Sequence, residues 1–100
     1  MAFVRAVAAS DIAPGTIREV DVNGKTLAVA NIAGSFHAID NTCLHRGGPL
    51  GEGPVEGKIV TCPWHALEYN ITTGQCLAFP KRRIRSYPVK VEDGLIKVVI

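Results

Sequence analysis

The sequence predicts an all-β fold, a small antiparallel sandwich or barrel, and three observations support this prediction. Short apolar runs, some alternating with polar residues, follow one another along the chain. Clusters of glycine, proline, asparagine and aspartate separate these runs at short intervals. Apolar residues nowhere recur at helical spacing over three turns. The 100 residues suffice for one modest core, so residues 1–100 are expected to form a single domain.

The first half of the chain contains four predicted strands. The opening run, FVRAVAA, ends at Ser10-Asp11. The runs TIREVDV and KTLAVANI flank Asn23-Gly24, which is a strong signal for a two-residue hairpin turn. Gly34 opens the fourth run, GSFHAID. The second and third runs are therefore expected to pair as a hairpin.

The second half of the chain continues the pattern after a glycine-rich loop. The run VEGKIVTC is the next predicted strand, and HALEYNI and QCLAF are two more on either side of a turn at TTG. The last run, YPVKVEDGLIKVVI, is expected to form two strands about the turn Glu92-Asp93-Gly94.

Composition excludes several classes of function. The net charge of +2 is too small to predict nucleic-acid binding. No apolar run approaches the roughly 20 residues that cross a bilayer, so no membrane association is expected. Arg5 and Asp11 interrupt the N-terminal segment, which lacks the apolar core of a signal peptide. A cytoplasmic protein is predicted, and its odd number of cysteines, 3, suits metal binding better than a disulfide framework.

Two pairs of cysteine and histidine carry the chemistry. Cys43 and His45 form a C-x-H box, 16 residues follow, and Cys62 and His65 form a C-x-x-H box. Two sulfurs and two imidazole nitrogens suit either a tetrahedral zinc ion or an iron–sulfur cluster whose two irons have different ligands. Nearby glycines favour the cluster, because they let backbone N–H groups approach bridging sulfides; these are Gly47, Gly48, Gly51 and Gly53.

At these boxes the sequence resembles the Rieske [2Fe–2S] proteins, and specifically the soluble Rieske-type ferredoxins. The resemblance extends from SFHAIDNTCLHRGGPLGEG through VTCPWH and TTG to YPVKVEDG. It implies a β-sandwich-like Rieske fold that carries one [2Fe–2S] cluster at the tip of two loops. It implies that Cys43 and Cys62 hold one iron, and that His45 and His65 hold the other. A third loop, FPKRR with Pro80, is expected to cover the cluster.

Several positions depart from the pattern of the Rieske proteins in respiratory bc complexes. Gly48 and Trp64 stand where those proteins have two cysteines joined by a disulfide. Leu67 stands where they have a serine that donates to a bridging sulfide, which predicts a lower reduction potential. Tyr69 stands where many ferredoxins have phenylalanine, and it is a candidate donor to a cysteine sulfur, which opposes that effect. Ala66 replaces a frequent glycine.

The resemblance implies a one-electron carrier between a flavoprotein reductase and a terminal aromatic-ring-hydroxylating oxygenase. The chain is not itself expected to be such an oxygenase, because only His37 remains for a second iron site once the cluster has its ligands. One alternative is a small Rieske subunit of a nitrite reductase-like enzyme, and another is a zinc-stabilised interaction module. A monomer is expected in isolation.

The remaining candidate residues lie outside the ligand set. His37 is interpreted as an ordinary strand histidine, and Cys76 as a small buried apolar residue. Trp64 either shields the cluster from water or packs in the core. A basic rim is predicted around the cluster tip, where it would meet an acidic patch on a partner; it comprises Arg46, Lys81, Arg82, Arg83 and Arg85.

Overall fold

The structure is a computed structural model that describes residues 3–44, 47–64 and 66–100. These residues form strands joined by turns, with two single turns of 3-10 helix at Ala9–Asp11 and Leu50–Glu52. Neither helical turn is long or apolar enough to span a bilayer, and the described residues contain no other helix. The strands are β1 Phe3–Ala8, β2 Thr16–Val22, β3 Lys25–Ile32, β4 Ser35–Asp40, β5 Val55–Glu56, β6 Ile59–Thr61, β7 Glu68–Asn70, β8 Ser86–Tyr87, β9 Val89–Glu92 and β10 Leu95–Val99. The all-β prediction is confirmed.

Two antiparallel sheets form the base of the molecule, in the orders β2-β3-β4-β8 and β1-β10-β9. Asn23 and Gly24 join β2 to β3 with φ angles of 50° and 81°, and Val22 pairs with Lys25 across them. Asp93 and Gly94 join β9 to β10 in the same way, with φ angles of 54° and 75°. Two successive residues at positive φ make the turn that suits a two-residue hairpin, so both predicted hairpins are confirmed.

A third sheet, β5-β6-β7, carries the segments between the two Cys/His boxes and beyond. The strand β3 connects this third sheet to the base, because alternate side chains of β3 enter two separate cores. Leu27 and Val29 pack between the base sheets, whereas Ala28 and Ala30 pack against the third sheet and the cysteines. Burial on both faces explains why this strand reads as a nearly continuous apolar run.

Three predicted strands differ in the structure. The run VEGKIVTC is a tight hairpin rather than one strand, because Gly57 adopts a φ of 60° between β5 and β6. HALEYNI keeps only the three residues of β7. QCLAF is not a strand: it forms isolated bridges at Tyr69–Cys76 and Gln75–Arg83, because the N–H of Cys76 bonds across a loop to the carbonyl of Arg82.

The last predicted hairpin is correct, but a short strand precedes it. β8 pairs with β4 in one base sheet, whereas β9 pairs with β10 in the other. Pro88 lies between β8 and β9. It has no N–H for a ladder, so the chain changes sheets at this residue.

Candidate metal centre

The first Cys/His box forms a tight turn that begins at Cys43. The carbonyl of Cys43 accepts the N–H of Gly47 at 3.0 Å, and its own N–H donates to the carbonyl of Gly48 at 2.9 Å. Gly47 closes the turn with a φ of 72°, in the left-handed region. The side chain of Cys43 is 2% exposed, so its sulfur is held almost out of water.

The second box repeats this turn. The carbonyl of Cys62 accepts the N–H of Ala66 at 3.0 Å, and the N–H of Cys62 donates to the carbonyl of Leu67 at 2.8 Å. Ala66 takes the position of Gly47, with a φ of 60°. An alanine in this conformation is strained by roughly 1 kcal/mol. The turn therefore explains why glycine is frequent at this position in similar proteins. Ala66 adopts the same left-handed conformation with a small loss of stability.

Gly48 brings the two turns into contact. A Cβ atom built on Gly48 would lie 2.5 Å from the Sγ of Cys62 and 3.3 Å from the Cβ of Trp64. The first distance is too short for a Cβ atom, so a larger residue at this position would require the Cys62 side chain to shift. The second distance shows that Gly48 and Trp64 face each other across the loops, as expected for two positions that a disulfide joins in the bc-complex proteins. The structure thus brings both cysteine-bearing turns to one site.

The hydroxyl of the buried Tyr69 contacts one of the two cysteines. Its oxygen lies 3.2 Å from the Sγ of Cys43 and accepts the backbone N–H of Leu44 at 2.9 Å. Because the oxygen already accepts one hydrogen bond, its own proton is available to the sulfur, and a metal-bound thiolate can only accept. The predicted contact between Tyr69 and a cysteine sulfur is confirmed. Burial, together with this bond, raises the pKa of Tyr69, so the phenol stays protonated and remains a donor.

A third loop, residues 77–83, lies beside the two turns and is called the covering loop. The N–H of Cys76 donates to the carbonyl of Arg82 at 3.0 Å, which closes the loop at its base. The N–H of Arg82 donates to the carbonyl of Phe79 at 2.8 Å, and the Nε2 of Gln75 donates to the carbonyl of Pro80 at 2.8 Å. Hydrogen bonds from both ends of the loop therefore fix its conformation.

The turn TTG supports the base of the covering loop. Gly74 has a φ of 81°, and a Cβ atom there would collide with the carbonyl oxygen of Ile84. The N–H of Ile84 donates to the carbonyl of Gly74 at 2.9 Å. This close backbone approach requires glycine, which gives the TTG segment a structural role.

Exposed apolar side chains gather around this end of the molecule. The exposed fractions of Leu44, Trp64, Leu77 and Phe79 are 45%, 59%, 45% and 54%. Core packing was one interpretation of Trp64, and its exposure shows that this interpretation is wrong. Among the described residues the other large apolar side chains that are exposed are Phe3 and Val91, which lie on β1 and β9.

A family model for the Rieske [2Fe-2S] domain matches residues 2–88. The chain belongs to the Rieske [2Fe-2S] domain family. It therefore carries a [2Fe–2S] cluster of the Rieske type, and not the zinc ion that the donor set alone also allowed. The geometry of the site also fits such a cluster, because two buried cysteines in matched turns meet there and a buried hydroxyl donates to one of them.

Rieske ferredoxins are among the proteins most similar to this chain. The ferredoxin component of the naphthalene 1,2-dioxygenase system of Pseudomonas putida is 38% identical over 91% of this chain and 88% of its own length. The ferredoxin of Sphingomonas yanoikuyae B1 superposes with a TM-score of 0.90 at 32% identity, covering 99% of each chain. A solved complex of reduced oxygenase and oxidised ferredoxin in carbazole 1,9a-dioxygenase contains a chain that matches with a TM-score of 0.87 at 34% identity, covering 97% of this chain and 92% of that one.

The histidine half of the predicted Rieske ligand set is not among the described residues. His45, Arg46 and His65 lie outside them, so the assignment of all four ligands stays a prediction. Within the described ranges no three His, Cys, Asp or Glu side chains gather closely enough to hold a metal ion. His37 lines a separate cleft of about 300 Å³ beside Ser86, where burial lowers its pKa. Cys76 is fully buried, as predicted for a small apolar residue, and none of the three cysteines, all described, forms a disulfide.

Four glycines are expected to let backbone N–H groups approach the Rieske cluster, and this stays a prediction, but three of them use their own N–H groups elsewhere. The N–H groups of Gly47, Gly51 and Gly53 bond to protein oxygens of the same chain instead. At Gly51 a Cβ atom would collide with the Cγ of Glu19, and at Gly53 with the carbonyl oxygen of Thr61. These two glycines therefore allow the ligand loops to pack on the rest of the chain.

Sequence reasoning also missed two side chains that position the Rieske site. Asn41 accepts the N–H of Gly51 on its Oδ1 at 2.7 Å and donates from Nδ2 to Glu19, which anchors the first ligand loop to β2. Gln75 holds the carbonyl of Pro80 in the covering loop. Neither residue belongs to a motif with a characteristic spacing. The sequence signal available for Asn41 was a polar residue directly after the apolar run of β4. Such a residue is close to the core, and once buried it needs hydrogen-bond partners.

Proposed function

We propose that this chain is the ferredoxin component of an oxygenase system. It carries one electron at a time from a flavoprotein reductase to a terminal aromatic-ring-hydroxylating oxygenase, as a cytoplasmic monomer. The observation that supports this most strongly is the pair of matched turns, each with a buried cysteine, at an end of the molecule where other side chains are exposed. A carrier needs a redox group that is shielded from water and close to the docking surface.

The ligand set in this proposal is Cys43 and Cys62 on one iron, and His45 and His65 on the other. When bound, the cluster supplies a one-electron couple whose potential depends on the charge and hydrogen bonding of its ligands. The chain holds the two sulfurs in place by the backbone hydrogen bonds of the matched turns. The Tyr69 hydroxyl stabilises negative charge on the sulfur of Cys43, which raises the potential. Leu67, lacking a hydroxyl, cannot add a second donor of that kind.

The docking surface in this proposal combines an apolar patch with the basic rim. Lys81, Arg82 and Arg83 are exposed on the covering loop, beside the exposed Phe79. Arg85 lies farther from the tip, because its guanidinium carbon sits 5.0 Å from the centroid of the Tyr87 ring in the base. Transient redox partners meet through small interfaces, in which charge speeds encounter and a few apolar contacts hold the complex.

The proposed function is tested by measuring cluster content and then electron transfer into and out of the cluster. Purified protein should contain iron and acid-labile sulfide in the 2:2 ratio of the cluster, and its EPR signal should appear on reduction. In stopped-flow experiments a flavoprotein reductase should reduce it, and a terminal oxygenase should then reoxidise it. A protein that accepts electrons but is reoxidised by no oxygenase, and that co-purifies with a nitrite reductase-like enzyme, would support the fixed-subunit alternative instead.

A further inference from the structure

A cleft opens between the first ligand turn and the covering loop. It has a volume of about 210 Å³, and its walls are Leu44, Leu67, Cys76, Phe79 and Arg82. Four of these side chains are apolar or weakly polar, and the fifth is a cation. A cavity of about 150 Å³ is known to hold a benzene molecule, so this cleft is large enough for one branched or aromatic side chain.

The cleft is held in shape before any partner arrives. Its outer wall is the covering loop, which the Cys76–Arg82, Arg82–Phe79 and Gln75–Pro80 hydrogen bonds fix. Its inner wall is Leu44, whose N–H bonds to the hydroxyl of Tyr69. A preformed cleft binds more tightly than a mobile one, because little ordering entropy is lost on binding.

The cation at the mouth of the cleft, Arg82, has no acidic partner among the residues that the structure describes. The ion pairs of the described residues join Lys25 to Asp40, and Lys90 and Lys97 to Glu92, and none of them involves Arg82. The guanidinium carbon of Arg82 lies 6.0 Å from the centroid of the Phe79 ring, over an apolar surface. An arginine in this position suits a carboxylate beside an apolar group.

We propose that this cleft is a socket for one apolar side chain of the terminal oxygenase, flanked on that protein by a carboxylate that pairs with Arg82. The inference rests on the proposed function and adds the chemistry of the partner's surface. Leu44 follows Cys43 directly, so a side chain seated in the socket places the oxygenase beside the ligand sulfur. We assign the socket to the oxygenase because a ferredoxin chain similar to this one was solved in complex with an oxygenase. The socket fixes where the oxygenase sits, and the cation fixes its orientation.

The chain contains a matched control for this site. Phe3 on β1 is 39% exposed, and the Nζ of Lys90 lies 4.6 Å from the centroid of its ring. This pair reproduces the aromatic ring and the cation of the socket on the β1-β10-β9 sheet, where Lys90 also pairs with Glu92. The experiment therefore compares Phe79→Ala and Arg82→Gln with Phe3→Ala and Lys90→Gln, all as cluster-loaded protein.

Binding to the oxygenase is measured by surface plasmon resonance at several salt concentrations. Phe79→Ala should raise the Kd roughly tenfold, through faster dissociation and with an unchanged salt dependence. Arg82→Gln should raise the Kd and make it less sensitive to salt, whereas both control variants should stay within about twofold of the wild type. The visible spectrum and the reduction potential should be the same in all five proteins.

Three outcomes would overturn the socket. Phe79→Ala could bind the oxygenase as tightly as Phe3→Ala does. The loss could appear with the reductase and not with the oxygenase, which would assign the cleft to the other partner. Altered spectra in Phe79→Ala would show that the residue acts on the cluster and not on docking. If the wild-type protein itself neither binds nor reduces an oxygenase, the proposed function fails, and the socket fails with it. This outcome is distinguishable from the other three because it is seen in the wild type.

Discussion

Replacing Tyr69 by Phe removes one oxygen atom that makes two hydrogen bonds, one to the Sγ of Cys43 and one from the N–H of Leu44. The bond to sulfur is stronger in the reduced protein, because the sulfur then carries more negative charge. A charge-assisted hydrogen bond contributes about 1.5 kcal/mol or more. If about 1.5 kcal/mol is felt only after reduction, the potential of Tyr69→Phe falls by about 65 mV, since about 59 mV corresponds to about 1.4 kcal/mol for one electron.

The same substitution has a second, independent effect on stability. The N–H of Leu44 loses its acceptor, so the free energy of unfolding should fall by about 1–3 kcal/mol. The pKa of Tyr69 is raised in the folded state, so its stabilising contribution is complete below the unfolded value of about 10 and is lost as the pH rises through the folded pKa. Tyr69→Phe should therefore also reduce the loss of stability that the wild type shows in strong alkali.

Protein-film voltammetry measures the potential, and urea denaturation measures the stability. Tyr87→Phe is the matched control, because the Tyr87 hydroxyl donates to Oδ1 of Asp40 in the base of the molecule, away from the cysteines. The control should lose stability while its potential stays within about 10 mV of the wild type. Equal potentials in the wild type and Tyr69→Phe would refute the assignment of Tyr69 as a donor to the ligand sulfur.

The remaining predictions concern the ligand turns and the covering loop. Cys62→Ser should abolish the cluster absorption, whereas Cys76→Ser should keep it and lose about 1–2 kcal/mol of stability, as measured by visible spectra and denaturation. Ala66→Gly should leave the spectrum unchanged and raise the free energy of unfolding by up to about 1 kcal/mol, because the left-handed conformation no longer strains a Cβ; a loss of stability would contradict this. Gln75→Ala should speed hydrogen exchange at the Arg82 amide at least severalfold while β3 amides keep their protection, and equal exchange at Arg82 would show that the tether is unnecessary.

The sequence was informative wherever structure depends on near neighbours. Asn23-Gly24 and Asp93-Gly94 form the predicted turns, because positive φ at two successive residues is a local property. The two cysteine-bearing turns are also local, since each cysteine and the turn that it begins lie within six residues of chain.

The parts that sequence did not predict depend on distant partners. Cys76 lies in an apolar run that reads as a strand, yet its N–H closes a loop on Arg82. Gly51 was interpreted through the cluster, but its neighbour is Glu19, more than thirty positions earlier in the chain. The exposure of Trp64 and Phe79 depends on which surface the fold leaves uncovered, and no local pattern encodes that.

Because β3 is buried on both faces, cluster binding is coupled to the free energy of unfolding of the entire chain. Leu27 and Val29 face the core of the base while Ala28 and Ala30 face the core that holds both cysteines, so neither half can melt while the other keeps this strand. Free energy released when iron and sulfide bind is therefore shared with strands that never contact them. Extracting the cluster should lower the melting temperature of the base sheets as well as of the ligand loops, in a single cooperative transition. Protein that lacks its cluster would then be less stable throughout and more readily proteolysed.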